Sequence, residues 1–272
     1  MLTYRELKRG LDALRLRGRP VIAHASLKAF GPVRGGAESL LGALLASTGG
    51  VIMPTFTYKT MVTPRVGPPN NGIAYGSGED RNRMAEIFSP AMPADRMMGR
   101  LSETLLRHLQ ACRTRHPILS FGGIGAEAVL AAQTLFEPLA PIGELARRDG
   151  WVLLLGVDHT VNTSIHYAEK LAGRRRFVRW ALTRDGVREC PNWPGCSDGF
   201  EAIAPALDGV TRKIQIGGAL VQAIPLQALF DKVIAAIKND PLALLCQRED
   251  CERCEAVRDS VRAGLRPVPT AT

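Results

Sequence analysis

Hydrophobic and polar positions fall along this chain in blocks whose period changes, and those changes predict the elements. In MLTYRELKRGLDALRLRGRP, Leu7, Leu11, Leu14 and Leu16 stand between charged residues, which predicts an amphipathic helix. RPVIAHASL reads as a short strand, Val21 to Ala23, running into a loop. GGAESLLGALLAS reads as a helix with Leu40, Leu41, Leu44 and Leu45 apolar, and STGGVIMPTFTY as a turn followed by a buried strand from Val51 to Phe56. Residues 59–80 are rich in Pro, Gly and Asn and have no period. They predict a long loop, and long loops in compact domains are usually functional. MGRLSETLLRHLQA is a helix, and HPILSFGGIG leads into the helix AEAVLAAQ. WVLLLGV is a buried strand and NTSIHYAEKLA the helix after it. Strands alternating with helices predict an α/β fold with a mixed, partly parallel central sheet flanked by helices.

After Gly173 the pattern changes. RRRFVRWALT predicts an extended strand with alternating large apolar residues, and CPNWPGCSDGF an irregular stretch. A short helix is expected from about Phe200 to Leu207, then a strand or hairpin in KIQIGGALVQAIP. PLQALFDKVIAAIKND and QREDCERCEAVRDSVRA predict two further helices, followed by the tail GLRPVPTAT. The second half leans antiparallel. A subdivision near residue 173 is compatible with this, but no linker marks one, and one domain over residues 1–272 is expected.

The chain has 272 residues, 46% of them hydrophobic, so a sizeable core can form. No apolar run approaches the roughly 20 residues a membrane helix needs, and the charged N-terminus is no signal peptide. A soluble cytoplasmic protein is expected. The net charge is +9, a balance that raises nucleic acid as a partner. The arginines are scattered, however, and the densest clusters are Arg174–Arg175–Arg176 and the terminal helix. No basic repeat is interleaved with aromatics that could stack bases. A solvated basic surface is expected, with neither nucleic acid nor membrane as partner.

Several stretches carry chemistry. GCSDG, Gly195 to Gly199, matches the nucleophile-elbow pattern G-x-S-x-G, but PNWP before it cannot be a central strand and no histidine follows it. A turn in which Ser197 or Asp198 caps the next helix is expected instead. Cys246, Cys251 and Cys254 form C-x4-C-x2-C, a spacing that suits zinc, with Cys190 or Cys196 as a fourth thiolate. Zinc deaminases need H-x-E, which is absent, so any zinc here is structural; free reduced thiols are the alternative. HASLKAFGPVRGG, His24 to Gly36, is a strand-to-helix loop with Ser26, Lys28, Arg34 and the pair Gly35–Gly36. Glycines admit a ligand close to the backbone, and helix-start amides favour phosphate. A plain glycine turn remains the other reading.

GVDHTVNTSIHYAE, Gly156 to Glu169, follows the most hydrophobic strand. Asn162 or Thr163 can cap its helix. On that helix Thr163, His166 and Glu169 are three apart and share a face. A carboxylate one turn from an imidazole can take one ring N–H and orient the ring, leaving the other nitrogen to accept a proton. A surface histidine with an incidental ion pair is the alternative. A metal site including His159 lacks ligand spacing, and the role of His159 stays open.

HASLKAFGPVRGGAESLLGAL, VIMPTFTY, MMGRLSE, RHPILSFGGIGAEA and LLLGVDHTVNTSIHYAE occur in this order, and together they resemble the aminoglycoside 3-N-acetyltransferases. That is the antibiotic N-acetyltransferase family, distinct from the GNAT acetyltransferases. The match covers about residues 18 to 173, and weakly CSDGFEAIAPAL. The resemblance implies that family's α/β fold and acetyl-CoA as donor. It implies direct acetyl transfer to an amine of an aminoglycoside-like small molecule, the chemistry of antibiotic resistance. It makes His166 the general base, with Glu169 orienting it and Thr163 assisting. Ser26, Leu27, Lys28, Gly35 and Gly36 would line the CoA, with Ser120 and Phe121 on the pantetheine side. Polycationic acceptors call for carboxylates, and Glu79 and Asp80 are the acids available in the loop expected on the acceptor side. A CoA-binding protein of the same fold without aminoglycoside activity, or an acetyltransferase for a different small amine, are the alternatives. The acceptor and the oligomeric state are not legible.

Overall fold

The elements alternate along the chain as its changes of period predict, and the computed structural model describes residues 1–264. Most of the tail expected after the last helix, residues 265–272, lies outside the described residues. The first half runs α1 (Tyr4–Ala13), β1 (Val21–Ala25), α2 (Gly36–Ser47), β2 (Val51–Pro54), β3 (Met61–Val62), α3 (Glu79–Arg83) and α4 (Gly99–Leu106). It continues through β4 (Cys112–Arg113), β5 (Phe121–Ile124), α5 (Glu127–Leu130), α6 (Ala140–Arg147), β6 (Trp151–Leu155) and α7 (Thr163–Leu171). The second half adds β7 (Phe177–Thr183), β8 (Gly186–Trp193), α8 (Ala204–Leu207), β9 (Arg212–Ile216), β10 (Ala219–Pro225), α9 (Leu226–Asn239) and α10 (Glu252–Arg262).

A seven-stranded sheet in the order β4-β5-β2-β1-β6-β10-β9 forms the centre. β2, β1 and β6 are parallel. β5 and β10 run antiparallel to β2 and β6, so the sheet is mixed. β6 has no polar side because helices cover both of its faces. Trp151, Leu153 and Leu155 pack toward α1 and α2, while Val152 and Leu154 face the core shared by α7 and α9. Each such side chain removed from water contributes about 1.5–3 kcal/mol. β10 pairs with β6 from Val221 opposite Leu155 to Pro225 opposite Trp151, so strands from either side of residue 173 share this sheet.

From β1 the chain moves outward to β2 on one side and later returns to β6 on the other. Loops leaving the carboxyl ends of strands at such a reversal open a crevice. The loop after β1 is fixed at two points. Ser26 N–H donates to the Leu155 carbonyl at 3.0 Å, and Leu2 exchanges backbone bonds with Pro32 and Arg34, each of 2.8 Å.

β3, β7 and β8 form a separate three-stranded sheet. Of the irregular stretch expected over residues 190–200, Cys190–Trp193 is the end of β8, and irregular backbone begins at Pro194. β8 is an outer strand, where Pro191 removes no central ladder bond. The helix expected at Phe200 is a 3-10 turn over Phe200–Ile203 leading into α8, and no side chain caps it, neither Ser197 nor Asp198.

Candidate active site

A cavity of about 910 Å3 lies beyond the carboxyl ends of β2, β1 and β6. One wall is the loop after β1, with Ser26, Leu27, Lys28 and Gly36. A second is the segment from Val157 through Thr163 to His166. A third is Trp193 to Asp198, with Arg253 beside it, and Phe56 and Tyr58 close the space.

The helix α7 begins where the sequence places it. Asn162 is its cap, its side-chain oxygen accepting from Ser164 N–H at 3.1 Å. Thr163 and His166 both line the cavity. His166 Nδ1 lies 2.8 Å from Glu169 Oε2, and both side chains are buried. A carboxylate only accepts, so the ring donates its Nδ1–H to Glu169, which leaves Nε2 as the nitrogen without a proton. Phe200 meets the imidazole edge to face, with ring centroids 4.7 Å apart. Between Phe200 and Glu169 the ring has one seating.

Glu169 is 3% exposed, and a carboxylate that deep requires a second partner. Arg174 supplies it, with Nη1 3.2 Å from Glu169 Oε1. Arg174 also donates to the carbonyls of Ala243 and Pro241, both at 2.8 Å. Arg176 donates to the His166 carbonyl at 3.4 Å and to that of Asn192 at 2.8 Å. The arginine run read from sequence as solvated surface is therefore largely interior. Arg174 is 8% exposed, drawn inward by one buried carboxylate and by carbonyls of the C-terminal segment. Three consecutive arginines after a helix look like surface until the partners, 67 and 69 residues downstream, are known.

His159 does not reach the cavity. It is 1% exposed, with Nδ1 3.2 Å from Asn162 Nδ2, and its backbone N–H donates to Glu201 at 2.8 Å. It braces the cap of α7, and burial lowers its pKa. His24 does line the cavity, and burial together with the nearby His159 pushes its imidazole down to about 3.

Of the candidate residues in the loop after β1, Ser26, Leu27, Lys28 and Gly36 line the cavity, while Gly35 sits one position behind as the left-handed residue that starts α2. A side chain at Gly35 would be strained at φ 75° and would meet Ser39 Oγ at 2.4 Å. Ser120 and Phe121 stand behind the wall rather than on it. Both are fully buried: Ser120 Oγ donates to the Thr55 carbonyl at 2.8 Å, and Phe121 packs edge to face on Phe56. Leu119, just before them, faces the cavity. Arg100, which the sequence reading passed over, lines it too.

Glu79 and Asp80 lie outside the cavity, exposed on α3 and paired with Arg65 and Arg83. None of residues 59–84 lines the cavity. That loop is instead tied to β7: Val178 N–H donates to Asn71 Oδ1 at 2.8 Å, and the buried Arg179 donates to the Asn71 and Gly72 carbonyls. Among the described residues Asp198 is the one carboxylate lining the cavity, against Lys28, Arg100 and Arg253.

Beside the third wall, the sulfurs of Cys196, Cys246, Cys251 and Cys254 lie within 4.8 Å of one another, all buried. Cys190, the other candidate for the fourth position, is buried in β8 outside this group.

The aminoglycoside 3-N-acetyltransferase family model matches residues 22–238. The aminoglycoside N(3)-acetyltransferase VII of Streptomyces paromomycinus is 35% identical over 202 residues, 69% of this chain and 68% of that one. The aminoglycoside N(3)-acetyltransferase III of Serratia marcescens is 32% identical over 237 residues, covering 76% and 85%. Among solved structures, apo aminoglycoside acetyltransferase AAC(3)-IVa superimposes with a TM-score of 0.78 at 25% identity, over 95% of this chain and 98% of that one. A histidine-to-alanine mutant of that enzyme in complex with a gentamicin gives 0.76 at the same identity, over 95% and 97%. The sequence match and the shared architecture agree: this chain belongs to the aminoglycoside 3-N-acetyltransferase family of acyltransferases.

Proposed function

We propose that this protein is an acetyl-CoA-dependent N-acetyltransferase acting on an amine of an aminoglycoside-like substrate, with His166 as general base. The observation that carries the reading is the His166–Glu169 pair on the cavity wall, with Nδ1 committed to the carboxylate and Nε2 left over. An ammonium must first give one proton to solvent before it can attack a thioester. His166 then takes a second proton as the neutral amine nitrogen bonds to the acetyl carbon, a transfer imidazole suits near neutral pH. The C–S bond breaks, and that second proton leaves with the thiolate. Thr163, one turn earlier on the same wall, is positioned to donate to an oxygen at that carbon.

The donor fits the residues present. Gly36 keeps one wall free of side chains, Lys28 and Arg100 offset phosphate charge, and Leu27, Leu119 and Val157 offer apolar surface to a pantetheine arm. The amine enters between Trp193 and Asp198. The relatives named for aminoglycoside acetylation support the substrate class. We take residues 1–272 as one domain, because β10 and β6 join the two halves in one sheet. The reduced thiols suit a cytoplasmic setting, and among the described residues no helix is long and apolar enough to cross a membrane.

The four-cysteine cluster supports a structural zinc ion, as tetrahedral thiolate coordination places sulfurs about 3.8 Å apart for a Zn–S distance near 2.3 Å. Metal analysis of the purified protein tests that ion. Thiol release from acetyl-CoA across a panel of aminoglycosides and other small amines tests the activity. Tight CoA binding with no thiol release on any amine would leave a CoA-binding protein of the same fold. Turnover confined to other amines would make it an acetyltransferase of different acceptor range.

A further inference from the structure

The four cysteines come from three separate segments, and each segment also builds part of the active site. Cys196 sits in the middle of the third wall. Trp193, Pro194, Gly195, Ser197 and Asp198 face the cavity, while the Cys196 side chain turns inward to the cluster. Cys251 and Cys254 sit at the start of α10 and flank Arg253. That side chain lines the cavity and donates from Nη1 to the Gly195 carbonyl at 2.9 Å. Cys246 closes the segment whose Pro241 and Ala243 carbonyls hold Arg174, the partner of Glu169.

The three segments are in tight contact. A methyl group on Gly199 would lie 2.6 Å from the Leu244 carbonyl, so the chain just after Cys196 touches the chain just before Cys246. Phe200, which seats the His166 ring, follows directly. Residues 194–199 between β8 and the Phe200 turn, and residues 240–251 between α9 and α10, belong to no strand or helix. A tetrahedral ion would join them at one point, and Arg253 and Arg258 lie next to its ligands to offset the negative charge of a four-thiolate site.

We propose that the Cys196–Cys246–Cys251–Cys254 site binds zinc as a clamp that holds the Trp193–Asp198 acceptor wall against α10, making Cys196 a positioning residue for the acceptor amine. This rests on the zinc reading above and on the proposal that this wall meets the acceptor, whichever amine that is. Metal binding releases the thiol protons to solvent and needs no oxidant. Loosening this wall weakens acceptor binding while the loop after β1, held by its own bonds to Leu2 and Leu155, keeps its place.

The test uses the full chain. Metal content is measured first, then zinc is withdrawn with a chelator. Backbone hydrogen exchange of residues 193–203 is followed without substrate, and KM is measured for amine and for acetyl-CoA. One zinc per chain, faster exchange of 193–203 on its removal, and a KM for the amine raised about tenfold or more with that for acetyl-CoA nearly unchanged are expected. Cys196→Ser should reproduce the chelated state, Cys196→His should retain the ion and the low KM, and the exposed Cys112→Ser should do nothing. If Cys196→Ser does not fold, chelation of the wild-type protein and Cys196→His carry the same comparison. Protein without zinc, its four thiols free or paired as disulfides, overturns the ion and the clamp together. Bound zinc whose removal changes neither exchange of 193–203 nor the amine KM overturns the clamp alone. The exchange measurement stands even where no tested amine is acetylated.

Discussion

Arg174 and His166 hold opposite oxygens of one carboxylate: Arg174 Nη1 is 3.2 Å from Glu169 Oε1, and His166 Nδ1 is 2.8 Å from Glu169 Oε2. The arginine is what allows a carboxylate to sit this deep behind the imidazole. Removing one member of a buried pair leaves the other charge uncompensated and costs about 3–5 kcal/mol. Arg174→Met should therefore lower stability in denaturant by about that amount. It should also impair transfer, because Glu169 would lose the partner of its Oε1 and turn away from His166. Arg174→Lys should restore part of both, since a lysine reaches fewer partners than the guanidinium fork. An unchanged unfolding midpoint for Arg174→Met would show that Glu169 needs no counter-charge.

The carboxylate and the imidazole have separable roles. His166→Ala removes the proposed base, so acetyl transfer should fall by about 10²–10⁴ while CoA still binds. Glu169→Gln keeps size and polarity but can present an N–H to Nδ1, which favours the tautomer with the ring proton on Nε2, where it cannot accept another. A smaller loss, about 10²-fold in kcat with KM for the amine little changed, is expected. Steady-state kinetics of the two variants on one acceptor checks this. Equal losses in kcat and KM for Glu169→Gln would assign the glutamate to folding rather than to seating the base.

Stability should fall in mild acid through a buried histidine that does not line the cavity. His116 Nδ1 accepts from the backbone N–H groups of Ile118 at 3.1 Å and Leu119 at 2.9 Å, so the folded state needs this nitrogen unprotonated. Burial pushes its imidazole down to about 4. The unfolded chain binds this proton near pH 6.5 and the folded chain only near pH 4, so stability is full above about 6.5 and is lost as the pH falls through that window. The loss attributable to His116 is about 3 kcal/mol. Buried His24, pushed down to about 3, acts with the same sign. Asparagine at position 116 can accept from the same amides without titrating. His116→Asn should flatten the dependence of Tm on pH between 6.5 and 4, and an unaltered slope would place the acid sensitivity elsewhere.

Local features of the site are legible in the sequence because they depend on local spacing. Helical period alone puts Thr163, His166 and Glu169 on one face, and hydrophobic period alone marks β6. Three-dimensional pairing is not legible that way. Arg174 finds its carbonyls across the C-terminal segment, and Cys196 rather than Cys190 joins the thiols because β8 carries Cys190 away from α10. Glu79 and Asp80 look available for an acceptor only until Arg179 and Asn71 tie their loop to β7. Ser120 and Phe121 belong to a strand end whose wall-facing residue is Leu119. No periodicity separates neighbours in so short a run.

The basic side chains of the cavity divide by partner, and this gives a test of where the donor lies. Lys28 and Gly36 belong to the loop after β1 and Arg100 to the start of α4, whereas Arg253 is engaged with the Gly195 carbonyl in the third wall. Neither Lys28 nor Arg100 forms an ion pair among the described residues, so each has its charge available to a phosphate. Lys28→Ala and Arg100→Ala should each raise KM for acetyl-CoA about three- to tenfold, the equivalent of a charged hydrogen bond of roughly 1 kcal/mol at a partly exposed site. Because such contacts are screened within about 10 Å at 0.1 M salt, the difference from wild type should shrink as ionic strength rises. The kcat at saturating donor should stay near wild type, since neither residue touches His166 or Glu169. A fall in kcat without a change in the donor KM, at any salt, would move the phosphates away from this loop and place the donor on another wall of the cavity.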